Sequence, residues 1–315
     1  MIDKNRIKEI FQIKQKINNW YWSERYLHKS RDKKEPTYYI IRRAEMAGLF
    51  SIVNTTLGNI KYAVEKGYIP VVDMMNYPSA YLSNQKLKVE NAWEYFFEQP
   101  AGIGVKEAYV GKKVILGSGV PTLERPDDNM DFYNNVNNQL LEWRGYVKKY
   151  LHIKSNILAD IDREFNALVS PNDRVLGIEI RGTDYVAKRP PNHPIQPDLD
   201  DIIIKAREMM RIYQCNKVLV GTEDKEYCIR LKKEFGEAFL INKKEFIEYQ
   251  GGITPLTRIQ RDNDEYLQGV EYLTTIVMLS KCNCFLGARN SGSVGAILLS
   301  DGFEHQYIYD LGKYE

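Results

Sequence analysis

Cys284-Phe285-Leu286-Gly287-Ala288-Arg289-Asn290-Ser291-Gly292-Ser293-Val294-Gly295 is the stretch on which the fold turns. It begins as a short apolar strand, 284–286, and ends in an apolar helix, 293–299, with glycines, serines and polar residues between. Such residues leading into a helix set backbone amides and hydroxyls around a concavity, which is how phosphate is held without a metal. A plain flexible turn is the other reading of the same residues.

The pattern around this stretch is regular. Past the turn Ser170-Pro171-Asn172-Asp173, strands at 175–180, 217–221, 238–241, 284–286 and 306–309 alternate with helices at 199–213, 225–235, 266–279 and 293–299. That alternation predicts a mostly parallel sheet covered on both faces. Earlier in the chain, a β-rich run at 38–42 leads through Ala47-Gly48-Leu49-Phe50 into a helix marked by Ile52, Val53, Leu57, Ile60 and Val64, then a strand at 68–73. Strand, glycine turn, helix and strand form a βαβ unit whose helix N-terminus suits an anion. The aromatic segment 91–100 is a cleft wall or core packing, and the spacing of Leu141, Trp143, Val147, Leu151, Leu158 and Ile161 predicts one or two helices over 138–165. The expected architecture is α/β, with an N-terminal Rossmann-like domain of residues 1–170 behind an amphipathic helix and a C-terminal one of residues 171–315, facing each other across a cleft.

Composition narrows the class. In 315 residues, a hydrophobic share of 43% and a charged share of 27% are those of an ordinary globular chain, which excludes disordered and fibrous readings. No run of 18 apolar residues occurs, and charge alternates from Met1 to Lys8, so neither a signal peptide nor a membrane span is expected. Cys215, Cys228, Cys282 and Cys284 lack paired CxxC spacing and four histidines lie scattered, which predicts reduced thiols in a cytoplasm and no metal centre. Asp262-Asn263-Asp264 lies outside a strand end and reads as loop. Residues 1–43 hold 12 Lys or Arg against 5 Asp or Glu, whereas the whole chain carries only +2. With Ile7, Ile10, Phe11, Ile17 and Trp20 at helical spacing, this start either packs on its own domain or lies on an anionic membrane. Near-neutral overall charge and the lack of a recognition motif argue against nucleic acid. GxxxxGK[ST], GxGxxG and HExxH are all missing, as is a nucleophile-elbow serine.

Ligands of a doubly wound sheet bind beyond the carboxyl ends of its strands, so residues just past each strand carry the chemistry. One end reads Ile180-Arg181-Gly182-Thr183-Asp184-Tyr185. The arginine fork suits a diphosphate and Gly182 admits close backbone approach, while an Arg181–Asp184 ion pair bracing the loop is the alternative. A second end, Val220-Gly221-Thr222-Glu223-Asp224, offers carboxylates to ribose hydroxyls or a base edge, or simply to the following helix N-terminus. The third end is the glycine-serine stretch itself.

Together these segments resemble the fucosyltransferase superfamily of GT-B fold, most nearly the α1,6-fucosyltransferases and bacterial nodulation fucosyltransferases, from about Gly48 to Tyr309. The family's HxRRxD-like motif, which binds the GDP diphosphate, is matched by Glu179-Ile180-Arg181-Gly182-Thr183-Asp184. Residues 143–151 (WRGYVKKYL) are similar to the helix preceding it, His193-Pro194-Ile195 to a downstream HPI, and Asn290-Ser291-Gly292-Ser293 to the final donor loop. Glu179 stands for the usual histidine, Gly182 for the second arginine, Thr275 for a guanine-recognising aspartate, and Arg189 for the catalytic acid. The resemblance implies inverting, metal-independent transfer of fucose from GDP-fucose to a glycan or lipid-linked glycan in surface polysaccharide synthesis, with no cofactor beyond that co-substrate. Arg181 and the amides of Gly48, Ser291, Gly292 and Ser293 then hold the diphosphate, Glu179 or Thr275 meets the base, Asp184 or His193 takes the proton, and Lys188 and Arg189 bind an anionic acceptor or the diphosphate. A nucleotide-using transferase with another donor and a non-catalytic carbohydrate-binding protein are the rival readings. The expected location is cytoplasmic, at the inner membrane where the basic helix touches it.

Overall fold

The computed structural model describes residues 4–43, 46–120, 123–126, 138–182, 186, 188–246 and 261–315. In chain order its elements are α1 (Lys4–Trp22), β1 (Arg25–His28), β2 (Thr37–Ile41), α2 (Leu49–Glu65), β3 (Ile69–Val72), α3 (Trp93–Phe96), α4 (Val105–Tyr109), β4 (Lys113–Leu116), α5 (Asn138–Tyr150), α6 (Ser155–Leu168), β5 (Val175–Glu179), α7 (Leu199–Tyr213), β6 (Lys217–Gly221), α8 (Lys225–Phe235), β7 (Phe239–Leu240), α9 (Asp264–Ser280), β8 (Cys284–Ala288), α10 (Ser291–Leu299) and β9 (His305–Tyr309).

Unbroken apolar runs make strands that bury both faces, and β5 and β8 are buried at every position. They form the centre of a five-stranded parallel sheet of order β7-β6-β5-β8-β9. Chain progression reverses between β5 and β8, which opens a crevice at their carboxyl ends. The first half repeats the plan with fewer strands. Its sheet has the order β1-β4-β2-β3, with β2 parallel to both β3 and β4, so the reversal falls between β2 and β4. The expected pair of Rossmann-like sheets is therefore present.

β1 and β4 escape the sequence pattern for a physical reason. β1 is an antiparallel edge strand with three of its four residues exposed, so it shows no alternation, and β4 is a four-residue run. By contrast, α7, β6 and α8 span the expected residues. Asp264, expected in a loop, opens α9 and pairs with Arg261 at 2.8 Å. The aromatic segment is core, since Trp93, Phe96 and Phe97 are fully buried.

One apolar cluster joins the two sheets. It runs from Tyr39 and Leu57 through Trp143 and Ile161 to Leu273, Phe285 and Ile297. The turn at 170–173, where Asp173 accepts from the Ser170 amide at 2.8 Å, lies between α6 and β5, and helices from both sides pack together across it. α2 and α10 meet closely. A Cβ on Gly295 would stand 2.2 Å from the Phe50 ring, and that ring meets Tyr272 edge-on at 5.5 Å. α2 ends where Gly67, at φ +70, turns the chain and the Tyr68 amide returns to Ala63 at 2.8 Å, a left-handed stop that glycine adopts without penalty.

Overfilling the α2–α10 contact tests this packing. Gly295→Ala should destabilise the protein by about 1–3 kcal/mol in urea unfolding. Adding Phe50→Leu should recover part of the loss, because the smaller side chain gives the new methyl room; a double variant no more stable than Gly295→Ala alone would show that the helices are held apart elsewhere.

Candidate active site

The crevice between β5 and β8 is organised by a buried carboxylate. Glu179, the last residue of β5, is 4% exposed. Its Oε2 accepts from Asn290 Nδ2 at 2.5 Å and from Ser293 Oγ at 3.1 Å. Burial pushes its carboxyl up to about 7, against the lowering effect of the Asn290 hydrogen bond. Asn290 also caps α10, accepting from the Ser293 amide at 2.8 Å, and so starts the helix at Ser291, two residues ahead of the sequence expectation. Gly292 is required beside these groups, because a Cβ there would lie 2.4 Å from Glu179 Oε1 and 2.9 Å from the Tyr272 hydroxyl.

Asn290 and Ser293 therefore face inward. The amides of Ser291 and Gly292, in the first turn of α10, have no intrahelical acceptor. In the first half α2 begins after Gly48, whose backbone is extended and whose Cα faces open space. The Phe50–Gly295 contact packs the first turn of α2 against α10 one turn past its start, and each helix start favours negative charge at its own N-terminus.

Arg181 follows Glu179 by two residues and brings a guanidinium to this edge. Its Nε lies 3.6 Å from Glu223 Oε1, and the same carboxylate oxygen accepts from the Gly182 amide at 3.2 Å. The Arg181 charge also acts on Glu179 and Tyr272, which fixes it close to the start of α10. Gly182 answers a close approach, since a Cβ there would be 2.3 Å from Asp224 Oδ2.

The other predicted residues divide by what they touch. Asp224 caps α8, accepting from the amides of Glu226 at 2.9 Å and Tyr227 at 3.1 Å, so of its two sequence readings the helix start is the one observed. Thr222 is buried, and its hydroxyl accepts from the Asp224 amide at 3.2 Å. Thr275 is buried too, donating to Asn242 and to the Glu271 carbonyl, both at 2.9 Å. Of the two residues expected to meet a base, Thr275 and the Oε2 atom of Glu179 are thus engaged by the protein: desolvation makes internal partners the cheaper state. His193 is exposed, with its ring on the Pro191 carbonyl at 3.0 Å, in a segment that pairs with the chain end through Pro194 and Lys313. Lys188 and Arg189 are exposed at the surface, and Asp184 lies outside the described residues.

Sequence reasoning missed four neighbours. Lys244 donates to the Thr222 carbonyl, and burial lowers its ammonium to about 8 despite the nearby Glu223; it lies in 243–265, where no periodicity guides the eye. Tyr272 is raised well above the usual phenol range by burial and by Glu179. Arg42 and Arg43 stand at the carboxyl end of β2, where the strand-end rule applied to the first sheet would have found them. Arg42 donates to the Gly117 carbonyl at 2.8 Å, and Arg43 lines a surface pocket with Asp73, Met74 and Tyr77. Among the described residues no group of three or more His, Cys, Asp or Glu gathers as metal ligands would.

No sequence-family model matches this chain, and no curated protein matches it. Solved structures do. A crystal structure of fucosyltransferase NodZ from Bradyrhizobium matches at 15% identity with a TM-score of 0.50, over 84% of this chain and 94% of that one. POFUT1 in complex with GDP matches at 10% identity with a TM-score of 0.51, over 87% and 99%. POFUT1 in complex with GDP-fucose matches at 9% identity with a TM-score of 0.51, over 88% and 99%. At these identities the likeness is one of fold, and the fold is that of the GT-B fucosyltransferases.

Glu179 makes stability depend on pH. Its carboxyl has a raised folded-state value, so between about 4.5 and about 7 the folded chain keeps a proton that the unfolded chain has lost, and stability falls as pH rises through that window. The cost is on the order of 3 kcal/mol once ionisation is complete. Glu179→Gln should remove this slope in urea unfolding run from acid to slightly alkaline pH, and a variant with the wild-type slope would place the titration in another group.

Proposed function

We propose that this chain is a glycosyltransferase that moves fucose from GDP-fucose to a hydroxyl of a glycan or lipid-linked glycan, in the cytoplasm, during surface polysaccharide synthesis. In this reading residues 171–315 form the domain that binds the donor and residues 1–170 the domain that faces the acceptor. One observation supports it most: α2 packs on α10 through Phe50 and Gly295, and Arg181 follows β5 at the crevice where the β5–β8 strand order reverses. Two sets of helix-start amides and one guanidinium match the charge and size of a diphosphate. The shared fold adds support, since POFUT1 has been solved with GDP and with GDP-fucose.

The chemistry is a single displacement with inversion. An acceptor oxygen bonds to the sugar's anomeric carbon as the bond from that carbon to the diphosphate oxygen breaks, and the departing nucleotide keeps the electron pair. Negative charge grows on the diphosphate, where Arg181 and the amides of Ser291 and Gly292 offset it without a metal. The acceptor proton goes to Asp184 or His193. Lys188 and Arg189, both exposed, attract an anionic acceptor.

A second reading follows from Glu179 and Thr275. With both held by internal partners, they leave base selection to other groups, and a nucleoside diphosphate sugar other than GDP-fucose then fits the same crevice.

Three measurements separate these cases. In a thermal-shift panel of GDP, UDP, CDP and ADP, GDP alone should raise the melting temperature; a shift with another nucleotide selects the second reading, and no shift with any of them rejects sugar transfer. Arg181→Ala should cut kcat about 100- to 1,000-fold with an unaltered melting curve, the loss typical of one donor to a developing oxyanion. If His193 is the base, His193→Gln should abolish the acid limb of the pH–rate profile, while an unchanged profile assigns the proton to Asp184.

A further inference from the structure

Over its described side chains, the first helix is held by its end and not by its apolar face. Every side chain from 11 to 20 is exposed, with Phe11 at 68%, Ile17 at 60% and Trp20 at 64%. At 100° per residue, Ile13, Ile17, Trp20 and Tyr21 fall within about 100° of arc, a stripe of the width that helices ordinarily bury. Attachment comes from the last turn. Arg42, buried at 3% exposure, donates to the carbonyls of Tyr21 at 2.8 Å and Ser23 at 3.0 Å. Trp22 packs over Gly119 and against Tyr77, with ring centroids 5.3 Å apart. The anchored end thus sits at the carboxyl edge of the first sheet, beside the pocket that Tyr77 shares with Arg43 and Asp73.

Charge identifies what covers this face. Residues 1–43 hold 12 Lys or Arg against 5 Asp or Glu, while the whole chain carries only +2, so the remainder is net acidic. Lys14, Lys16, Lys29, Arg31, Lys33 and Lys34 are all exposed around the helix and the loop after β1. A basic segment on an acidic body is drawn to an anionic plane with the body turned away. Aromatic rings gather where such a helix meets headgroups: the Arg25 guanidinium lies 4.6 Å over Trp20, and Tyr26 beside it is half exposed. Among the described residues no helix is long and apolar enough to cross a bilayer, so this one lies along it.

We propose that α1 is an interfacial anchor that seats the protein on an anionic lipid surface. Ile13, Ile17 and Trp20 enter the headgroup boundary, and Lys14 and Lys16, which flank them on the helix, meet lipid phosphates. Lipid binding of this kind is independent of sugar transfer, and each is measured without the other.

The test is co-sedimentation of the full chain with vesicles of phosphatidylcholine alone and of equal parts phosphatidylcholine and phosphatidylglycerol, at about 0.1 M salt. Binding to the anionic vesicles should be at least about tenfold tighter, should weaken as salt rises, and should blue-shift tryptophan fluorescence. Ile13→Glu with Ile17→Glu, both exposed and away from the anchored turn, should weaken binding about tenfold or more without changing the melting temperature or any GDP-induced shift. Equal binding to both vesicle types, or unchanged binding by the double variant, overturns the proposal. So does a concentration-dependent dimer in sedimentation velocity that the double variant abolishes while vesicle binding is missing, which would assign the face to a second copy of this chain.

Discussion

The contact between Phe50 and Gly295 is the constraint on which the molecule depends. It fixes α2, which leaves the first sheet, against α10, which leaves the second, at a separation that tolerates no Cβ on α10. Close approach of two helices is worthwhile only if the surrounding surface interdigitates, and here the apolar cluster continues from α2 through α5, α6 and α9. The consequence lies at the ends of the helices. Both begin at the carboxyl edge of a parallel sheet, and the first turn of α2 packs against α10 at Gly295, one turn past its start.

Glu179 supports that site from beneath. A carboxylate buried among Asn290, Ser293 and the Tyr272 ring system ties the end of β5 to the start of α10 across the point where strand order reverses. The arrangement is costly, since burial disfavours the charged form, and the raised carboxyl value records that cost. In return the first turn of α10, with the amides of Ser291 and Gly292, is held on a rigid base, and Arg181 lies two residues beyond the end of β5. Arg181 is in turn oriented by Glu223, which also holds the Gly182 amide.

The first half uses its strand ends differently. Arg42 is spent on carbonyls of the last turn of α1 and of Gly117, whereas Arg43 reaches the pocket beside Asp73. Asp73 itself is saturated, accepting from the amides of Met75 and Asn76 and from the Tyr109 hydroxyl at 2.8 Å. The first sheet thus uses most of the polar groups at its carboxyl edge to hold its own structure.

Much of this was legible in the chain itself. Period-two and period-3.6 patterns report burial directly, so the alternating strands and helices after residue 170 were fixed by residue order, whereas the glycine-serine stretch expected as a loop supplies the first turn of α10. Edge strands report almost nothing, because β1 exposes most of its side chains. Neither could the sequence assign partners to polar residues. Glu179 looks equally able to meet a ligand or an internal amide until Asn290, 111 positions away, is brought to 2.5 Å. Arg42 likewise became the anchor of α1 only when the end of β2 met Tyr21 and Ser23. Local pattern determines which elements form, since it depends on side chains a few residues apart; which groups face a ligand and which are consumed inside depends on long-range packing, and only the tertiary structure decides it.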